Sequence, residues 1–139
     1  MKVDRIVLDT NCLILSIPEK SPYHLIWSGF LNRKYILCVS NSIFHEYIEI
    51  IERFWGQEIS DTLANVILNQ DNVEFITTYF RYNLIKEDED DNKFVDCALT
   101  ANAKFIVTED HHFNVLKNIE FPKIEIVSVD HFIQLLNEQ

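Results

Sequence analysis

The chain has 139 residues, 47% of them apolar, and a formal net charge of −10. That length suits one domain, spanning 1–139, and allows about two thirds of the unfolded surface to be buried in a single core. With only 2 Gly and 3 Pro it is a poor match for a loop-rich or all-β architecture, and its acidity argues against a nucleic-acid partner unless carboxylates hold cations that reverse the local charge.

Ile6-Val7-Leu8 is a short apolar run that ends in Asp9-Thr10-Asn11, the pattern of a buried strand delivering polar groups at its carboxyl end. Ser21 before Pro22 reads as a helix N-cap, followed by apolar residues at Leu25, Ile26, Phe30 and Leu31. Tyr35 to Val39 is a second strand. Ile43, Phe44, Tyr47, Ile48, Ile51 and Phe54 then recur at helical spacing, with Gly56 as the stop. Ser60-Asp61 opens another helix by its capping residues. Val73 to Ile76 is a third strand, and residues 77–86 fit no regular pattern. An acidic run, residues 87–91, precedes a helix carrying Phe94, Val95, Ala98 and Leu99, with Asp90 or Asp91 as its cap. Phe105-Ile106-Val107 is a fourth strand, His111 to Leu116 a short helix, and Ile124 to Val127 a fifth strand. Ser128 or Asp130 caps the last helix. Strands alternating with helices predict an α/β fold, a three-layer α/β/α sandwich around a parallel five-stranded sheet.

Cys12, Cys38 and Cys97 lie in apolar stretches without a CxxC, as expected of free buried thiols in a reducing cytoplasm. Asp4 and Arg5 interrupt any N-terminal signal sequence. No run approaches the ~18 apolar residues of a membrane span. A cytoplasmic protein with no membrane partner is expected.

Two strands end alike, Leu8 in Asp9 and Val107 in Thr108-Glu109-Asp110. If they are neighbours, both carboxylates face one crevice. Alternatively, each Asp caps the turn that follows it. Glu46 lies on the helix after the second strand, and the helix behind the acidic run leads into the strand ending at Asp110. Its N-terminus therefore belongs at the same sheet edge as Asp9. Several converging carboxylates repel, and some take up protons unless a divalent cation neutralises them. Oxygen-only ligands suit Mg²⁺ or Mn²⁺, which can activate water for attack on a phosphodiester. His45-Glu46-Tyr47-Ile48-Glu49 lacks the second His of a zinc helix. His111 and His112 read as surface loop or as contacts to a substrate phosphate, and Lys93 is the chosen substrate-binding residue.

This pattern resembles a PIN domain. The resemblance rests on Asp9-Thr10-Asn11 after the first strand, Glu46 on the helix behind Ser42, Asp91 opening the Asp91-Asn92-Lys93-Phe94 helix, and Ile106-Val107-Thr108-Glu109-Asp110. It is closest to the VapC-like toxins of toxin–antitoxin pairs and covers nearly the whole chain, including Phe121-Pro122-Lys123-Ile124 and the terminal helix. The resemblance implies an endoribonuclease dependent on Mg²⁺ or Mn²⁺, with RNA as substrate, an antitoxin protein as partner and a homodimeric assembly. Carried over by position, Asp9, Glu46, Asp91 and Asp110 are the catalytic, metal-binding acids. Thr10 and Asn11 would orient Asp9, and Thr108 would act near Asp110. Asp88 and Asp96 are secondary candidates, although Asp96 lies about 140° round the helix from Asp91 and should point elsewhere. Glu109 stands where the family usually has Gly and adds negative charge.

Other readings are weaker. A phosphoacceptor receiver domain needs an Asp after the third strand, where this chain has Thr77-Thr78. An aspartyl phosphatase needs an Asp at the position of Asn11. A catalytically inactive PIN-fold module that binds RNA or a protein partner stays open.

Overall fold

The computed structural model describes residues 3–86 and 88–139. Glu87, first of the acidic run, lies outside the described residues. The strands are β1 (Arg5–Leu8), β2 (Ile36–Val39), β3 (Val73–Phe75), β4 (Phe105–Val107) and β5 (Ile126–Val127). They form one five-stranded sheet in the order β3-β2-β1-β4-β5, and every pairing is parallel. The helices are α1 (Thr10–Ser16), α2 (His24–Leu31), α3 (Asn41–Trp55), α4 (Gln57–Asn69), α5 (Asn92–Ala101) and α6 (Val129–Asn137). The expected α/β/α sandwich is what forms.

The topology fixes where chemistry can sit. From β1 the chain builds outward through β2 to β3, then crosses back to place β4 on the other side of β1. This reversal opens a crevice past the carboxyl ends of β1 and β4. β1 is the central strand, and Ile6, Val7 and Leu8 are 0–1% exposed. A strand covered on both sides cannot alternate, so its apolar run is continuous. Tyr47 on α3 reaches under the sheet edge, and its hydroxyl donates to the Leu8 carbonyl at 2.6 Å. The last carbonyl of β1 is thereby satisfied from a neighbouring helix rather than from water.

Several element boundaries depart from the sequence reading for local reasons. α2 begins at His24, not at Pro22. Ser21 Oγ accepts from the Tyr23 N–H at 3.0 Å, so the predicted cap closes a turn before the helix. α4 begins at Gln57, directly after Gly56. Ser60 lies inside it and donates to the Ile48 carbonyl at 3.0 Å, tying α4 to α3. Gly56 ends α3 as expected, with φ at +92°, where glycine is the favoured residue. β5 keeps only Ile126 and Val127 of its predicted four residues. Ser40 caps α3 and Ser128 caps α6 through their hydroxyls. All three cysteines are buried and free. Among the described residues, no helix is long and apolar enough to cross a membrane.

Candidate metal centre

Four elements deliver acids to the crevice at the carboxyl ends of β1 and β4. Asp9 ends β1, Asp110 follows β4 by three residues, Glu46 is on α3, and Asp88, Asp90 and Asp91 precede α5. All six line one crevice of about 230 Å³, together with Thr10 and Asn11. The order of strands makes this possible: Leu8 pairs with Val107, so the two acid-bearing ends lie side by side.

The two matched aspartates differ in what their carboxylates do. Asp9 stands at the N-terminus of α1 but makes no capping bond. Its Oδ2 instead accepts from Thr108 Oγ1 at 2.7 Å. The same Thr108 oxygen accepts from the Asp110 N–H at 3.0 Å, so one hydroxyl couples both strand ends. Asp110 does cap the turn that follows, its Oδ1 accepting from the His112 N–H at 2.9 Å. Ahead of α5, Asp91 takes the cap position as expected, but its side chain makes no capping bond. Asp88 closes the preceding turn, Oδ1 accepting from the Asp90 N–H at 3.1 Å. The Asp91 carboxylate is thereby left facing the crevice.

Burial and mutual repulsion act strongly here. Burial pushes the Asp9 carboxyl above its usual range. The charges of Asp110 and Glu46 add to this, and the Thr108 hydroxyl and Thr10 N–H oppose it. Asp91 is pushed up to about 7, by burial first, then by Asp110, with smaller contributions from Asp88 and Asp9. Asp110 ends below the usual range although burial works against it. The His112 N–H, the Asp91 carboxyl and the His112 and His111 rings all favour its charged form. Asp91 and Asp110 therefore behave as one acid pair contending for a proton.

This donor set suits a divalent cation. Asp91 is 8% exposed, and its Oδ2 is buried without receiving a hydrogen bond. A buried carboxylate oxygen left so is costly unless something positive meets it. Oxygen donors from Asp9, Glu46, Asp91 and Asp110 are of the hard kind that divalent ions favour.

The supporting residues are arranged differently from expectation. Thr10 Oγ1 donates to Glu46 Oε2 in a short hydrogen bond, so the Thr10 side chain orients Glu46 and only its backbone serves Asp9. Thr108, expected beside Asp110, is the hydroxyl that positions Asp9. Asn11 lines the crevice, but among the described residues no side-chain bond joins it to Asp9. Lys93 Nζ lies 3.0 Å from Glu46 Oε1 and donates to the Asp90 carbonyl at 2.7 Å. Asp96 lies outside the crevice and accepts from the Tyr82 N–H at 3.1 Å, in line with its predicted direction.

His112 corrects the reading of the histidine pair as surface loop. His111 is open to solvent, with 78% of its side chain exposed, but His112 turns inward at 26%. Its Nδ1 lies 3.2 Å from Asp110 Oδ1, 3.6 Å from Asp91 Oδ2 and 4.0 Å from Asp88 Oδ2. The only signal in the sequence was its position two residues past Asp110, which a tight turn brings back over that carboxylate.

Comparison with known proteins agrees with this architecture. No curated protein matches the chain by sequence. Among solved structures, VapBC2 from Rickettsia felis matches with a TM-score of 0.62 at 15% identity, over 89% of this chain and 98% of that one. VapBC-1 from nontypeable Haemophilus influenzae gives 0.62 at 16% identity, over 91% and 98%. VapC20 from Mycobacterium tuberculosis gives 0.55 at 14%, over 78% and 92%. Likeness at such low identity is likeness of fold. The family model for the PIN domain matches residues 5–112, a stretch that holds β1 through β4 and every acid of the crevice. The chain belongs to the PIN-domain family.

Proposed function

We propose that the chain, as one PIN-like domain over residues 1–139, is an endoribonuclease dependent on Mg²⁺ or Mn²⁺. In this reading it acts in the cytoplasm as the toxin of a toxin–antitoxin pair, with an antitoxin protein as partner and a homodimer as its assembly. The observation that carries the reading is the convergence of Asp9, Glu46, Asp91 and Asp110 on one crevice, where a buried Asp91 oxygen lacks a hydrogen-bond donor. Two structures with the same fold lend support. One is VapBC2 bound to a DNA fragment from their promoter, the other a toxin that cleaves the sarcin-ricin loop.

Asp9, Glu46, Asp91 and Asp110 would hold the cation. Thr108 keeps Asp9 aimed inward, and Thr10 does the same for Glu46. Asn11, expected to orient Asp9, lines the crevice beside it and in this reading would face substrate or solvent. A bound divalent cation supplies the charge that makes a water nucleophilic at neutral pH and stabilises a leaving oxygen. In this reading Lys93 is the substrate-phosphate contact, and to serve there its ammonium must leave Glu46.

The direct test is cleavage of RNA by the purified chain with Mn²⁺ or Mg²⁺, beside Asp9→Asn. Cleavage is expected to disappear in the variant while the melting temperature stays level or rises. Undiminished activity would refute the assignment. The Lys93–Glu46 ion pair favours one second reading, in which an internal cation replaces the metal and the chain only binds RNA or a partner. Such a module would show no cleavage at any point of a Mn²⁺ titration.

A further inference from the structure

Beside the crevice stands a second grouping, which shares Asp91 and Asp110 with the four expected acids and adds Asp88 and His112. Asp88, Asp91, Asp110 and His112 each bring one donor atom to a spot where all four atoms lie within 4.8 Å of one another. The 3.2 Å from His112 Nδ1 to Asp110 Oδ1 is the spacing of neighbouring ligands on one ion, and Asp91 Oδ2 and Asp88 Oδ2, at 3.6 and 4.0 Å, lie slightly outside it. Two donors each about 2.1 Å from an ion, at right or tetrahedral angles, stand about 3.0 to 3.4 Å apart. The Asp91 oxygen in this group is the one that is buried and accepts no hydrogen bond. Two of the other carboxylates are pinned by backbone: Asp88 by the Asp90 N–H and Asp110 by the His112 N–H. The turns on either side thus hold the acids close together against their repulsion. Lys93, the nearby cation, is engaged by Glu46 and by the Asp90 carbonyl.

We infer that Asp88, Asp91, Asp110 and His112 form a mixed oxygen–nitrogen cation site that takes a transition-metal ion, with Mn²⁺ favoured over Mg²⁺. The inference rests on the reading above in one respect, that Asp91 and Asp110 are cation ligands. His112 supplies the discrimination. Mg²⁺ takes oxygen donors and gives up its waters reluctantly, whereas an imidazole nitrogen is a good ligand for first-row transition ions. Asp88 completes the set from the turn before α5.

The test uses the full chain loaded with Mn²⁺ and pulsed electron paramagnetic resonance, which reports nitrogen bound to the ion directly. Wild type should show ¹⁴N coupling and His112→Ala should not. Calorimetry should show Mn²⁺ affinity falling about tenfold or more in His112→Ala, and falling likewise in Asp88→Asn. Mg²⁺ affinity should change less than about twofold in His112→Ala. Should His112→Ala fail to fold, as judged by circular dichroism, His112→Gln keeps the bulk of the side chain while removing the nitrogen ligand, and is expected to behave the same. Absence of nitrogen coupling in wild type overturns the site, as does a Mn²⁺ to Mg²⁺ preference equal in wild type and variant. Nitrogen coupling in a chain that cleaves no RNA would sink the nuclease reading and leave this site standing. Cleavage with oxygen-only coordination would do the reverse.

Discussion

The two ends of the same sheet treat charge in opposite ways. Toward the amino ends, two acids meet bases at the surface. Asp4 lies 3.3 Å from Lys104 and Glu74 lies 2.9 Å from Arg5, and all four side chains are well exposed. At the carboxyl ends, six acids line one crevice, and Lys93 is the one lysine or arginine paired with any of them among the described residues. Exposed pairs such as those at the amino end contribute little to stability and nothing to chemistry. Like charges gathered in one crevice, with Asp9 and Asp91 buried, cost stability, and folds keep such groups where function demands them. The contrast sets off one end of the sheet as structural and the other as the end where the proposed chemistry would sit.

The sharpest way to break that contrast is to remove one acid. In a Mn²⁺-supported cleavage assay, Asp91→Asn should lower the rate about 100-fold or more, because a ligand and a charge are lost together. The Asp4–Lys104 pair should be indifferent to that assay.

Next in size is the support under β1. Tyr47→Phe leaves the buried Leu8 carbonyl without a donor, and urea unfolding should show a loss of about 1–3 kcal/mol.

A smaller effect, with the opposite sign, is expected at the carboxyl end. Without divalent ions, Asp91→Asn should be more stable than wild type at pH 8, by about 1–2 kcal/mol. The folded pKa of Asp91 is raised from 3.8 to about 7, so the folded state holds that proton more tightly than the unfolded chain does. Its contribution to stability is therefore complete below about pH 4 and is lost as pH rises through about 7. The gap between variant and wild type should accordingly close as pH is lowered from 8 to 4 in thermal melts. A constant gap would mean that repulsion at Asp91 is not what strains this end.

The smallest change is at the amino end. Lys104→Ala should shift stability by less than about 1 kcal/mol, and 0.5 M salt should erase the difference.

Much of this was legible in the chain itself. Asp9 stood out because a strand buried on both sides must be apolar throughout, so a carboxylate at its end marks where the sheet stops. α3 was plain from its apolar spacing, and Gly56 from its freedom at positive φ. Other features were hidden because short-range signals are shared between roles. Asp91 does take the cap position of α5, yet its side chain makes no capping bond; Asp88 closes the preceding turn and the Asp91 carboxylate is left to the crevice. The resemblance implies supporting roles for Thr10 and Thr108, but each hydroxyl serves an acid other than the one it implied. His112 looked like loop because nothing local says that a turn after Asp110 will fold its ring inward.

The sequence alone determined the alternation of strand and helix, the acids at strand ends and the family they resemble, since burial and periodicity act on residues a few positions apart. Only the tertiary structure decided that β4 lies beside β1, that Thr108 holds Asp9, and that His112 joins Asp88, Asp91 and Asp110. Those outcomes depend on which distant segments share a sheet edge. That is settled by packing of the whole core, and no local stretch of chain encodes it.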